Sequence, residues 1–249
     1  LDGRYEASDF ASYNAATGTY TLKEGVVDGS AVIGSLRPGS IKLKDITDDG
    51  KVTADDITTI GNVNPDLTGG FGINARAYGF DFAANFNFSI GNQVYNANKI
   101  EFTSATRTKY AQYRNLSTDM GSGKRWTYID DNGQFVTDLA QLAAMNANTT
   151  MWSPYMNNFI LTDWAVEDAS FLRLNTLTLG YTLPKAITMR AGITSLRFYV
   201  TAYNVFTITG YSGSDPESDC IRKSNLTPGV DYSGYPRSRQ FVFGLNLNF

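Results

Sequence analysis

The sequence predicts an all-β chain: a run of antiparallel strands from the wall of a large transmembrane β-barrel, incomplete in itself. Three observations predict it. Strict two-residue alternation recurs from about residue 69 to the end of the sequence. Aromatics make up 13% of the 249 residues, with 15 Phe, 15 Tyr and 23 Gly, while charged residues are only 18%; soluble domains carry about 25% charge. The connections between alternating segments are in turn short and long, the habit of outer-membrane barrels.

Residues 1–68 read as a loop region, with an edge strand and an acidic loop at 45–56. Strands follow at about 69–78, 80–90, 168–182, 195–206 and 236–249. The 80–90 segment, FDFAANFNFSI, is the clearest. Phe80, Phe82, Ala84, Phe86, Phe88 and Ile90 share one face, and Asp81, Asn85, Asn87 and Ser89 the other. Its 11 residues match the length of a tilted membrane-spanning strand. Phe71, Ile73, Ala75 and Ala77 alternate likewise, and Gly79 makes a short turn between the two. In FLRLNTLTLGYTL, Leu172 and Leu174 are out of phase with Leu177, Leu179 and Tyr181, so a bulge or kink near Asn175 is expected. Pro184 ends that strand, and a turn runs to Gly192. Leu196, Phe198, Val200 and Ala202 form one face of the next strand. Long loops fill 91–167 and 207–235; the first holds a short helix where Leu139, Leu142 and Ala143 are helically spaced. An apolar face opposite one of Asn, Ser, Thr and Asp suits lipid outside and a polar lumen within. A soluble sandwich with one wet face reads the same way from pattern alone. Five strands are too few to close a barrel.

Composition narrows the chemistry. Net charge is −3, pI is about 5.0 and no basic stripe occurs, which argues against nucleic acid. There is no histidine, so Ser-His-Asp and Cys-His schemes are excluded. The single cysteine, Cys220, cannot form an internal disulfide. No stretch reaches the roughly 20 apolar residues of a spanning helix. The chain opens on Leu1 without a signal peptide, as a chain starting within a longer protein would. Acidic pairs at Asp130/Asp131, Glu167/Asp168 and Asp215/Glu217 read as solvated loops, not glycosidase dyads. GSGKRW at Gly121 lacks the glycine and the Ser or Thr of a phosphate loop. Enzymatic activity is not expected.

DITDDGKVTADD has the spacing of an EF-hand-type loop. Asp45, Thr47 and Asp49 fall at its first, third and fifth positions, Gly50 at the sixth, Lys51 with its carbonyl at the seventh and Asp56 at the twelfth. The spacing points to structural Ca2+, which takes a shell of hard oxygens. Thr47 is a neutral ligand and Asp56 is shorter than the usual Glu, and the same residues also suit a solvated Asp/Gly turn.

The chain ends on Phe249, in phase with Phe241, Phe243, Leu245 and Leu247. A terminal aromatic on an alternating strand resembles the barrel-insertion signal of outer-membrane proteins. GSIKLKDITDDGKVTADD, IGNVNPDLTGGFGI, YGFDFAANFNFSIGNQVYN, EDASFLRLNTLTLGYTLP, YVTAYNVFTITGYSGSDPE and PGVDYSGYPRSRQFVFGLNLNF together resemble, in order and spacing, the C-terminal part of SusC/RagA-family TonB-dependent transporters of the Bacteroidetes. The resemblance covers most of 39–249 and is weak over 1–37 and 101–158.

That resemblance implies a plugged barrel of about 22 strands in the outer membrane, capped by a SusD-like surface lipoprotein, importing glycans or oligopeptides and energised through the TonB complex. It also implies both termini in the periplasm, so that 1–68, 91–167 and 207–235 lie outside and Gly79 and the Pro184 turn inside. Trp126, Tyr128, Trp152, Tyr155, Trp164 and Tyr211, with Tyr235, are then candidates for contact with substrate or partner, although loop cores and interfacial girdles use the same residues. Two alternatives stand beside this reading. One is a TonB-dependent siderophore or cobalamin receptor without a lipoprotein lid. The other is a secreted soluble β-domain that binds glycans.

Overall fold

The computed structural model describes residues 1–107, 112–113, 115–155, 160–218, 228–232 and 234–249; Cys220 lies outside them. Among the described residues the strands in chain order are β1 (Phe10–Asn14), β2 (Thr19–Leu22), β3 (Leu67–Ala77), β4 (Phe80–Ile90), β5 (Gln93–Asn96), β6 (Thr106–Arg107), β7 (Gln112–Tyr113), β8 (Val166–Asp168), β9 (Phe171–Thr182), β10 (Ser195–Thr209), β11 (Val230–Asp231) and β12 (Gln240–Asn248). The short helices are α1 (Ser30–Ile33), α2 (Ala97–Glu101), α3 (Leu139–Met145) and α4 (Lys185–Thr188). The chain forms two compact units, 1–60 with 97–165 and 61–96 with 166–249. The sequence-based division at residue 68 therefore differs from the structure, because residues from the long 91–167 segment fold with the start of the chain.

The second unit carries the five long strands as one antiparallel sheet in the order β12-β10-β9-β4-β3. The predicted strands are present, with β3 beginning earlier, β9 beginning only at Phe171, β10 running on to Thr209 and β12 starting later than expected. Tyr78 (φ 53°) and Gly79 (φ 87°) both have positive φ. Ala77 pairs with Phe80, so these two residues make the hairpin turn whose twist matches the flanking strands.

A single extra residue resolves the phase conflict in β9. Asn85 pairs with Thr176 and Phe86 with Leu174, leaving Asn175 without a partner on β4. Leu172, Leu174, Leu177, Leu179 and Tyr181 consequently all share one face of the sheet with Phe80, Phe82, Phe86 and Phe88 of β4. A second irregularity, between Tyr203 and Phe206 of β10, falls at the same level and includes Asn204 at φ 50°.

By this antiparallel order, one end of the sheet carries the Tyr78–Gly79 turn, α4 and Phe249. The other leads into a three-stranded sheet, β11-β5-β8, in which β11 runs parallel to β5. Val94, Ala169 and Tyr211 are buried together there. Sequence pattern had left these strands within loops, since two to four residues are too few to show alternation.

The first unit is built from loops around aromatic cores. β1 and β2 form a hairpin, and α3 is capped by Asp138, which accepts a 2.9 Å hydrogen bond from the Gln141 amide. Leu142, fully buried, packs with Ala7, Trp126, Tyr128 and Val136. Tyr5, Phe10 and Leu36 make a second cluster, and Ile41, Met120 and Trp152 a third.

Candidate functional site

The two faces of the large sheet differ in chemistry as the alternation requires. On the apolar face, Phe71 stacks on Phe86 with centroids 4.7 Å apart, and Phe80 meets Tyr181 at 4.5 Å. These residues continue through Leu179, Phe198, Phe241, Phe243 and Leu245, which are exposed. Phe243 is 80% exposed and Phe249 85%. A contiguous exposed apolar surface of this kind marks an interface with lipid or another nonpolar body. Among the described residues no helix is long and apolar enough to cross a membrane, which leaves spanning by strands entirely open.

The opposite face is polar. Thr178 and Thr201 face each other with hydroxyls 3.0 Å apart. Arg197 on β10 reaches across β9 to Asp81 on β4 in a bidentate pair, Nε to Oδ1 at 2.8 Å and Nη2 to Oδ2 at 2.6 Å. Its guanidinium also lies over the Tyr199 ring, 4.9 Å from the centroid. Tyr199 stands opposite Gly244 in the β10–β12 ladder, and its ring fills the space a Cβ there would need.

Towards the end of the sheet that leads to β11, Arg173 of β9 anchors a charged network on the polar face. It is nearly fully buried, donates from Nε to Thr207 Oγ1 at 3.0 Å and pairs through Nη2 with Asp215 at 2.5 Å. Its Nη1 approaches Glu217 Oε2 at 2.9 Å as an ion contact without hydrogen-bond alignment. Arg237 closes the network, 3.3 Å from Asp215 and 3.2 Å from Glu217. The sequence reading of Asp215 and Glu217 as solvated loop carboxylates is corrected here: both engage arginines, and Asp215 is buried.

The acidic loop closes on itself. The Asp56 carboxylate accepts from the amides of Thr53 (2.7 Å), Ile46 (2.8 Å) and Thr47 (3.0 Å). Those hydrogen bonds, led by the one from Thr53, hold its pKa well below the usual carboxylate range. Asp45 accepts from the Asp48 and Gly50 amides, each at 2.7 Å. The Thr47 hydroxyl is 3.3 Å from Asp45 Oδ1 and 3.1 Å from Asp56 Oδ1. Three of the five predicted ligands are thus brought together. The Asp49 carboxylate instead accepts from the Lys51 amide at 2.8 Å. No cluster of three or more acidic, Cys or His side chains suited to a metal occurs among the described residues.

Most of the aromatic contact candidates are core residues. Trp126, Tyr128 and Trp152 are 1%, 4% and 3% exposed, so their faces are turned to neighbouring side chains and away from any ligand. Arg4 lies 4.8 Å over Trp126. The Tyr128 hydroxyl donates to the Pro38 carbonyl at 2.6 Å, and burial pushes its pKa up to about 12. Tyr211 is buried, its hydroxyl donating to Asp231 at 2.7 Å. Trp164 is partly buried against Trp152, with Lys99 4.4 Å from its ring centre. Tyr155 and Tyr235 are the candidates left exposed. The Arg173 network was missed because pairing across loops leaves no periodic signal; an arginine on the polar face of a strand was the available hint.

No family model matches the chain. TonB-dependent receptor P3 of Formosa agariphila is 30% identical over 227 residues, 89% of this chain and 20% of that protein. TonB-dependent receptor SusC of Bacteroides thetaiotaomicron is 38% identical over 92 residues, 36% of this chain and 8% of that protein. Among solved structures, the RagAB peptide transporter superposes with a TM-score of 0.58 at 26% identity, covering 97% of this chain and 22% of that one. The RagAB importer in its open-open state gives 0.57 at 29% identity, covering 80% of this chain and 19% of the other. The chain spans about a fifth of the length of the curated relatives it matches over most of its residues.

Proposed function

From the premise that this chain is a segment of a SusC/RagA-type TonB-dependent receptor, we propose that its parent imports nutrients across an outer membrane. The segment supplies strands of the barrel wall and parts of the outer surface. The observation that carries the reading is the sheet itself. One face is continuous, apolar and exposed, and the other carries Asp81, Arg197, Thr178 and Thr201. Lipid covers the first and the lumen wets the second. The edges of β3 and β12 pair with further strands of the parent, since five strands do not close a barrel. The likeness to RagAB, a peptide importer, supports oligopeptides as cargo; glycans are the alternative that the SusC-type resemblance brings. A SusD-like lipoprotein caps the pore, and the TonB complex acts through portions that this chain does not span. The chain's role is transport, without catalysis.

The test is purification of the full-length parent from outer membranes in detergent. The reading requires a heat-modifiable barrel, running faster on gels before boiling than after, with a lipoprotein bound. A parent that is soluble without detergent and has no partner overturns it in favour of a secreted binding domain.

The acidic loop fits structural calcium in its donor chemistry, because every side-chain group it offers is a hard oxygen. Asp45, Thr47 and Asp56 would hold the ion, joined by the Lys51 carbonyl and by Asp49 once it leaves the Lys51 amide. Calcium there would brace the loop. Added Ca2+ is expected to raise the thermal midpoint of the wild-type protein and to leave Asp45→Asn unmoved. An equal response in both would remove the site.

A further inference from the structure

The polar face holds a cavity of about 250 Å3 whose wall includes Arg173, Thr207, Asp215, Arg237 and Arg239. Its charges do not balance. Arg173 and Arg237 are matched by Asp215 and Glu217, whereas Arg239 has no carboxylate partner among the described residues. One guanidinium is left over, exposed at the cavity's edge.

The surroundings fix the backbone that carries that arginine. Asn204, in the left-handed region at φ 50°, sits at the irregularity in β10 and donates from its side-chain amide to the Ser238 carbonyl at 2.9 Å. Ser238 lies between the two arginines, so this bond fixes the backbone that carries both. A non-glycine residue in that conformation costs free energy, and such residues cluster where a site is being shaped. Arg237 is held from the other side by Asp215 and Glu217. The outcome is a preorganised pocket with one uncompensated guanidinium, whose planar fork matches a carboxylate in two parallel hydrogen bonds.

We infer that this pocket is a substrate subsite that takes a carboxylate, with Arg239 as the pairing group. The inference rests on the importer reading, which makes the polar face the lumen wall. It narrows that reading to anionic cargo, either the free C-terminus or an acidic side chain of a peptide, or a uronic acid unit of a glycan.

The test uses the full-length parent purified in detergent, in two arms measured by calorimetry. One compares trialanine with trialanine amide, and the other trigalacturonate with its methyl ester. The carboxylate form is expected to bind at least about tenfold tighter than its neutral analogue in one arm, about one charged hydrogen-bonded contact. That arm identifies the source of the carboxylate. R239Q should abolish the preference while binding of the neutral analogue stays within about twofold, R239K should retain part of it, and added salt should weaken it. No preference in either arm, or a preference intact in R239Q, overturns the inference. A heat-modifiable barrel with its lipoprotein but no carboxylate preference removes the inference alone. A preparation that is not a barrel removes the importer reading, and the inference falls with it.

Discussion

Replacing Phe243 with arginine tests which side of the sheet meets lipid. β12 has nine residues; at about 3.4 Å each the strand is about 30 Å long. A tilt of about 45° brings that close to the roughly 25 Å height of a barrel's apolar band. Phe243 is the fourth of the nine, near mid-depth, and points away from the sheet. Arginine on the lipid face at the midplane costs about 2–4 kcal/mol, or roughly 30-fold to several hundredfold in the folding equilibrium. Asn246, on the opposite face of the same strand, should accept arginine at under about 1 kcal/mol, because water reaches it. The assay is urea unfolding of the full-length parent in lipid vesicles, read by heat-modifiable migration. Equal effects at the two positions, or a neutral Phe243→Arg, would refute the assignment of faces.

Three further outcomes follow from the geometry. Arg173→Met leaves Asp215 and Glu217 with Arg237 as their remaining partner among the described residues; a loss of about 3 kcal/mol is expected from breaking the buried pair, with faster hydrogen exchange across 210–218. In Gly39→Ala the new Cβ would lie 2.5 Å from Trp126 Cδ1 and 2.8 Å from Cδ2, at φ 86°. Overpacking and strain together should cost about 1–3 kcal/mol, seen as a lower midpoint in tryptophan fluorescence. For Asp56 the folded pKa is depressed, so its contribution is complete above the ordinary value of about 4 and fades as pH falls through the lowered one. Protection of the Ile46, Thr47 and Thr53 amides, taken relative to the intrinsic exchange rate at each pH, should therefore fall on acidification in the wild type, and be low at every pH in Asp56→Asn.

The membrane wall was legible because a half-buried strand writes its burial into every second residue. The run from Phe80 to Ile90 announced β4 with its bounds, and the phase break near Asn175 announced the bulge. The first unit was illegible for the converse reason. Trp126, Tyr128 and Trp152 pack against residues distant in sequence, and an aromatic in a loop core looks like one waiting for a ligand. The acidic loop shows the same limit: spacing brought Asp45, Thr47 and Asp56 together, while the direction of the Asp49 carboxylate depended on a backbone amide that no pattern records. The carboxylate-binding pocket needed three-dimensional contact, because Arg173, Asp215, Arg237 and Arg239 are brought together only when two loops return to one strand end.

Asn175 makes the wall's sidedness depend on chain length as well as composition. Paired as an ordinary member of the ladder, it would put the halves of β9 out of step, with Leu177 and Leu179, or Leu172 and Leu174, turned towards water; standing outside the β4 pairing, it lets both halves keep one face. Deleting it would leave Leu172, Leu174, Leu177 and Leu179 in unbroken alternation, whereas a residue gained or lost elsewhere in the strand, with no bulge to absorb it, exchanges inside for outside along half a strand. A wall of this kind can therefore gain a residue between its rims only where a bulge takes that residue out of the pleat.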